Sequence, residues 1–337
     1  MIQVDKNGMT TKESIDVRFF HKLTEKKFGI KLLSGEGGLD RKIKDQNLHR
    51  PGLALAGFVD LFAFSRVQVF GNTEIRYLMN LEIAERRSAL ERILKFEIPC
   101  IILTNDHKPS QELIDLSNHF NTPVFGSSLS TTKLSNLVSD FLDDQFAPRL
   151  SIHGSFVDVY GVGILFVGNS GIGKSEIALD LIERGHRLVA DDVVILTKKA
   201  ESVVIGAGTD LVKHFMEIRG IGFIDVEKMF GIRAIRYQKR LEVIVELEVW
   251  NQESEYTRTG LEDATFNILG VDLPYIKLPI VPGKNITVIS EVISLHYLLK
   301  HYDYDAAKVF QKRLKDAINK KNKKYERNVD YFEHDFE

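Results

Sequence analysis

Gly168-Asn169-Ser170-Gly171-Ile172-Gly173-Lys174-Ser175 is the stretch on which the reading of this chain turns. It fits G-x-x-x-x-G-K-[ST], the pattern of a phosphate-binding loop. The apolar run 162–167 precedes it and reads as a strand. Residues 174–184 follow and read as a helix, with Ile177, Ala178, Leu181 and Ile182 on one stripe. Strand, glycine-rich loop and helix together form the context that the motif requires. Glycines let the backbone wrap closely around phosphate oxygens, and the N–H groups of the loop and first helical turn point inward. The helix dipole adds partial positive charge at the same place. Lys174 is then expected to reach the β- and γ-phosphates, and the Ser175 hydroxyl to hold Mg²⁺. The bland alternative is a glycine-rich turn before an ordinary helix, and the strand–helix context weighs against it.

Working outward, residues 156–160 and 162–167 are two apolar runs joined at Gly161, which predicts a hairpin. Residues 187–190 and 193–197 are strand-like and are split by Asp191-Asp192. Residues 241–250 give the clearest strand, with Glu242, Glu246 and Glu248 set among Leu241, Val243, Val245, Leu247 and Val249. The β-branched run 286–292 predicts another strand, and 294–302 and 305–321 predict helices. Several of these strands are joined too tightly for helical crossovers, so the sheet is expected to be mixed. Toward the N-terminus, helices are predicted over 19–27, 83–94, 110–120 and 130–146, with Ser110 as an N-cap. Short strands at 99–103 and 123–126 alternate with them, which implies an α/β sheet with parallel pairs. The fold class is therefore α/β in both parts. We expect an N-terminal domain over 1–132 and a P-loop domain over 133–337, and the affiliation of the helix before Pro148 stays open.

Composition narrows the function classes. The chain has 337 residues, enough for two domains, with 44% hydrophobic and 27% charged residues. A net charge of -2 supplies no global attraction to nucleic acid or membrane. No run approaches the ~20 apolar residues of a membrane span, and the first residues lack a signal-peptide core. A cytoplasmic protein is expected. The single cysteine, Cys100, lies in an apolar run and reads as a buried thiol. The basic run 308–327, followed by an acidic tail, reads as a solvated helix and a frayed end, with a partner contact as the sharper alternative.

The kind of P-loop protein is decided downstream. Neither the Asp-x-x-Gly nor the Asn-Lys-x-Asp of regulatory GTPases follows Ser175. Instead Asp191-Asp192 comes one helix and one short strand after Lys174. A strand that follows the P-loop helix directly is expected to lie beside the P-loop strand, turning both carboxylates toward the phosphates. One carboxylate would orient Mg²⁺ and its waters, and the other would accept a proton from an attacking hydroxyl. These residues alone leave open a kinase of a small metabolite and a nucleotide-gated regulator without catalysis.

Further motifs carry a resemblance across nearly the whole chain. Val157-Asp158-Val159-Tyr160-Gly161, the P-loop, and Arg184-Gly185-His186-Arg187-Leu188-Val189-Ala190-Asp191-Asp192 resemble the HPr kinase/phosphorylase family. So do Met216-Glu217-Ile218-Arg219-Gly220-Ile221-Gly222-Phe223-Ile224-Asp225, Pro282-Gly283-Lys284-Asn285, Asp305-Ala306-Ala307 and, near the N-terminus, Arg50 to Phe58. The resemblance implies a homohexameric enzyme that uses ATP, and often pyrophosphate, to phosphorylate a regulatory serine on the phosphocarrier protein HPr. It also implies removal of that phosphate by inorganic phosphate, giving pyrophosphate, in the regulation of carbon metabolism. The implied catalytic domain resembles phosphoenolpyruvate carboxykinase, and no H-R-D or D-F-G kinase signature is present.

Residue by residue, Asp192 matches the family's proton-transfer residue, which leaves Asp191 behind the metal. His153 matches an active-site histidine, although a histidine beside a strand is by itself more often a packing residue. Lys174 and Arg258 match catalytic cations that stabilise the transferring phosphoryl group. Ser175 and Glu217 match the Mg²⁺ ligands, an oxygen set suited to a hard cation. Residues 279–284 match a loop that the family uses for dephosphorylation. Lys284 stands where the family often has arginine, keeping the charge without the bidentate geometry.

Overall fold

A computed structural model describes residues 9–209, 212–250, 264–281 and 283–324. Contacts divide the chain into Thr10–Pro148 and a second unit of Met1–Met9 with Arg149–Glu337. The division thus falls after Pro148 rather than at 132/133. The helix Thr131–Phe146 belongs to the first unit because Leu134, Val138, Phe141 and Leu142 pack into that unit's core with Phe20 and Phe125.

The first unit is an α/β sheet. Its strands run in the order Lys31–Ser34, Val124–Gly126, Ile101–Leu103, Val67–Phe70, Leu48–His49. The last four are parallel and Lys31–Ser34 is antiparallel at the edge. Helices cover both faces. Gly52–Leu55, Asn72–Met79, Ile83–Leu94 and Gln111–His119 contribute to one core, and Val17–Phe28 and Thr131–Phe146 to the other. The Ser110 hydroxyl accepts the Leu113 N–H, as its N-cap position predicts. Cys100 is fully buried, and burial pushes its thiol pKa up, so it packs as a small apolar group.

The second unit has three layers. Its central sheet runs Arg187–Ala190, Ser155–Val159, Val162–Gly168, Val243–Val249, Val271–Ile280, Thr265–Ile268. It is mixed. Ser155–Val159 and Val162–Gly168 form the predicted hairpin, while Val162–Gly168, Val243–Val249 and Val271–Ile280 are parallel. On one face lie Lys174–Glu183 and Ile286–His301, over a core that includes Phe166, Leu181, Val245 and Leu247. On the other face lies an antiparallel sheet including Arg149–His153, Val193–Lys199, Val203–Gly208 and Gln238–Arg240. Phe156, Leu165, Leu196 and Ile244 fill the space between the sheets. Each large apolar side chain fully buried this way contributes about 2 kcal/mol.

Two more sequence expectations change here. Strand Arg187–Ala190 does not pair with the P-loop strand; Ser155–Val159 lies between them. Strand Val243–Val249 is buried from Val243 to Leu247, and the Glu246 carboxylate accepts the Tyr275 hydroxyl. Residues 286–292 form the start of helix Ile286–His301 rather than a strand. The run is β-branched and looks extended by propensity. However, the Asn285 side chain accepts the Val288 N–H at 3.0 Å and starts the helix, and Ile286, Ile289, Ile293 and Tyr297 pack on the core at helical spacing. The terminal helix Ala306–Lys324 forms as expected, but Phe310, Leu314 and Ile318 stand exposed on it, one apolar row among the lysines. Among the described residues, no helix is long and apolar enough to cross a membrane.

Helix Ile286–His301 is tied to the P-loop helix by a buried carboxylate. Glu291, 6% exposed, accepts two hydrogen bonds from Arg184 at 2.8 and 2.6 Å, and His186 Nε2 lies 3.1 Å away. The Arg184 guanidinium holds the Glu291 carboxyl down at about 2, against an ordinary value of 4.5. A depressed carboxyl pKa stabilises the fold above the unfolded value, and that stabilisation is lost as pH falls from 4.5 toward 2. Glu291→Ala is therefore expected to destabilise this unit by about 2–3 kcal/mol at neutral pH. It should also flatten the acid limb of the stability curve. Urea midpoints measured from pH 2 to 7 check both, and an unchanged acid limb would refute the assignment.

Candidate functional site

The site forms where the central sheet ends at the P-loop. Gly168 has φ of 142°, and a Cβ there would lie 2.5 Å from the Leu247 carbonyl oxygen, so only glycine lets the two parallel strands end side by side. Gly171 has φ of 77°, and its Cβ would lie 2.5 Å from Arg219 Nη1. The Arg219 guanidinium thus rests on the loop, with Nη2 at 3.5 Å from Ser170 Oγ. Asn169 and Ser170 are exposed, and Ile172 packs against the core below. Gly173 leads into helix Lys174–Glu183, whose first N–H groups face the loop.

Lys174 Nζ donates to the carbonyl oxygens of Gly168 and Asn169, both at 3.0 Å. Burial lowers its pKa, opposed by the charges of Asp191 and Asp192. Ser175 Oγ donates to Asp191, 2.9 Å from Oδ2 and 3.1 Å from Oδ1. Asp191 is 4% exposed and also accepts Ser155 Oγ at 2.5 Å. Burial raises its pKa, while the two hydroxyls and the backbone N–H groups of Asp192 and Glu217 pull it back. The intervening strand Ser155–Val159 therefore supplies a side chain to the site instead of excluding Asp191 from it.

Asp192 differs from its neighbour. Its φ is 63°, a strained value for a residue with a side chain, and the turn swings its carboxylate outward. That side chain is 68% exposed, and His153 Nδ1 lies 3.4 Å from Oδ1. His153 ends strand Arg149–His153, is 82% exposed and pairs across the ladder with Val193. Two adjacent carboxylates are thus sorted into a buried one on the Ser175 hydroxyl and an open one beside a histidine.

Glu217 lies on strand Phe215–Ile218, with its backbone tied to Asp191 and its side chain exposed. Ser175, Asp191 and Glu217 offer only oxygen donors, a set that fits a hard divalent cation. Among the described residues, no three His, Cys, Asp or Glu side chains form a ready-made metal cage. A small hard cation bound with phosphates does not need one, since phosphate oxygens and waters complete its shell. Lys284 is exposed, just before the Asn285 cap. Arg258 and Pro282 lie outside the described residues.

Sequence reasoning did not find Ser155 or the seat of Arg219. Ser155 carried no motif signal. For Arg219 the signal was its two-residue offset from Glu217, which places both on one face of an extended segment.

Comparison with known proteins adds a second line of evidence. Residues 144–314 match the model of the HPr serine kinase C-terminal domain, and residues 20–142 match that of the HPr serine kinase N terminus. The HPr kinase/phosphorylase of Chloroherpeton thalassium is 54% identical over 331 residues, covering 97% of each chain. That of Prosthecochloris aestuarii is 52% identical over 340 residues and covers both chains entirely. Among solved structures, the Hpr(Ser) kinase/phosphatase from Coxiella burnetii is 34% identical, with a TM-score of 0.43 over 48% of this chain and 97% of that one.

Proposed function

The chain belongs to the HPr kinase/phosphorylase family, and on that premise we propose how its P-loop unit acts. It phosphorylates a serine of HPr with Mg²⁺-ATP, and it removes that phosphate with inorganic phosphate, giving pyrophosphate. The observation that carries this reading is the sorting of Asp191 and Asp192 beside a P-loop. Asp192 is open to a protein substrate, whereas Asp191 is sealed on Ser175.

Asp192, as carboxylate, takes the proton of the serine hydroxyl as its oxygen attacks the γ-phosphoryl group. As carboxylic acid it returns a proton to the serine oxygen in the reverse direction. His153 holds the Asp192 carboxylate in place. Lys174 exchanges its loop carbonyls for the β- and γ-phosphates, and Arg219 adds a second positive charge at the loop. Ser175, Asp191 and Glu217 would hold Mg²⁺, which neutralises phosphate charge. Lys284 contributes charge for inorganic phosphate, and Arg258 charge for the transferring group.

A phosphoenolpyruvate carboxykinase-like plan for this unit, homohexameric assembly and a cytoplasmic location belong to the same reading, as does the regulation of carbon metabolism. The N-terminal unit then serves assembly or regulation. Incubation of the full chain with Mg²⁺-ATP and HPr tests the proposal by mass spectrometry of HPr. Phosphoserine is expected, and its absence overturns the kinase reading. Adding inorganic phosphate to phosphorylated HPr should release pyrophosphate; release of none overturns the phosphorylase half.

A further inference from the structure

The hairpin that carries Glu217 and Arg219 has one face that folding does not use. Strands Phe215–Ile218 and Gly222–Asp225 pair antiparallel, with Met216 opposite Ile224 and Glu217 opposite Phe223. Directly opposed residues share a face. Met216 and Ile218 point into the core of the P-loop unit, with Ile224 packed against it. The other face carries Glu217 and Phe223, with Phe215 opposite Asp225. Phe223 is 71% exposed, and Ile221, at the turn between Gly220 and Gly222, is 74% exposed. Turn tips ordinarily carry polar residues or glycine. Two large apolar side chains in such places contribute little to folding and mark a surface made for contact.

Position says what the contact is. The Glu217 N–H reaches Asp191, and Arg219, next to the turn, rests against Gly171 of the P-loop. Phe223 is thus directly across the ladder from a residue that touches the site. The acceptor under the proposed function is a serine on a folded protein, so that protein's surface around the serine must lie against whatever borders Asp192. We propose that Ile221 and Phe223 form an apolar docking edge for HPr, seated against apolar side chains that flank its acceptor serine. The proposal rests on the reading given above. In it the hairpin does two jobs: Glu217 and Arg219, ahead of the turn, face the phosphates, while Ile221 at the turn and Phe223 on the returning strand hold the protein that receives them.

Ile221→Ser and Phe223→Ser in the full chain test this, with HPr varied at saturating Mg²⁺-ATP and ATP varied at saturating HPr. The KM for HPr should rise about tenfold or more, as for an apolar anchor at a protein interface. The KM for ATP should stay within about twofold, and Phe223→Leu should restore most of the loss. An unchanged KM for HPr, or an equal rise in both constants, overturns the docking edge. Light scattering on the same samples is the third readout. A change in oligomeric mass assigns the edge to contacts between copies of this chain and overturns the proposal too. If the unsubstituted chain leaves HPr unphosphorylated, the underlying function falls as well, which separates the two failures.

Discussion

Asp192→Asn is expected to lower turnover by about 10²–10⁴-fold in both directions, because under the proposed function one side chain serves as base forward and acid in reverse. Asparagine keeps the size of the group and accepts a hydrogen bond, but it neither takes nor gives a proton at neutral pH. Nucleotide affinity should change little, since the Asp192 carboxylate pairs with His153 and the Ser175 contact belongs to Asp191. Single-turnover phosphoryl transfer and binding of a fluorescent ATP analogue separate the two effects. The matching Asp191→Asn variant decides between the neighbours. It should weaken Mg²⁺-dependent nucleotide binding, because it alters the carboxylate on the Ser175 hydroxyl. Should Asp192→Asn retain normal turnover while Asp191→Asn abolishes it, the two roles must be exchanged.

Lys174→Ala is expected to reduce kcat by about 10²–10³-fold and to weaken ATP binding, more so for the triphosphate than for adenosine. The ammonium is the only cation that the loop motif itself supplies, and it already sits 3.0 Å from the Gly168 and Asn169 carbonyls that shape the loop. Its removal withdraws two hydrogen bonds from the loop and, under the proposed function, positive charge from the transferring group. Lys174→Arg is not expected to rescue, because the planar fork cannot reproduce the compact charge. Parallel titration with ATP and adenosine checks the prediction. Equal loss for both ligands would place the lysine in loop folding alone.

Much of this was legible before the structure. The P-loop, its strand and its helix were readable because a glycine pattern, an apolar run and a 3.6-residue stripe each have local physical causes. Helix Ile83–Leu94 falls on its predicted bounds for the same reason. Residues 286–292 misled because β-branched residues favour strands by propensity. The deciding terms were an Asn285 side chain capping one end and a core contacted every three or four residues.

The sequence by itself determined that a glycine-rich loop of the phosphate-binding pattern stands at 168–175, between a strand and a helix, and that two carboxylates follow one helix later. Both facts are local, since they depend on residue type and spacing along the backbone. Which carboxylate is buried and which is open was decided only in three dimensions. Adjacent aspartates look alike in sequence. A strand placed between theirs and the P-loop strand brought Ser155 onto Asp191 and buried it, and a turn with φ of 63° swung Asp192 out beside His153. Burial and hydrogen bonding differ at the two positions because non-local strand pairing set them apart, and no spacing rule along the chain encodes that pairing.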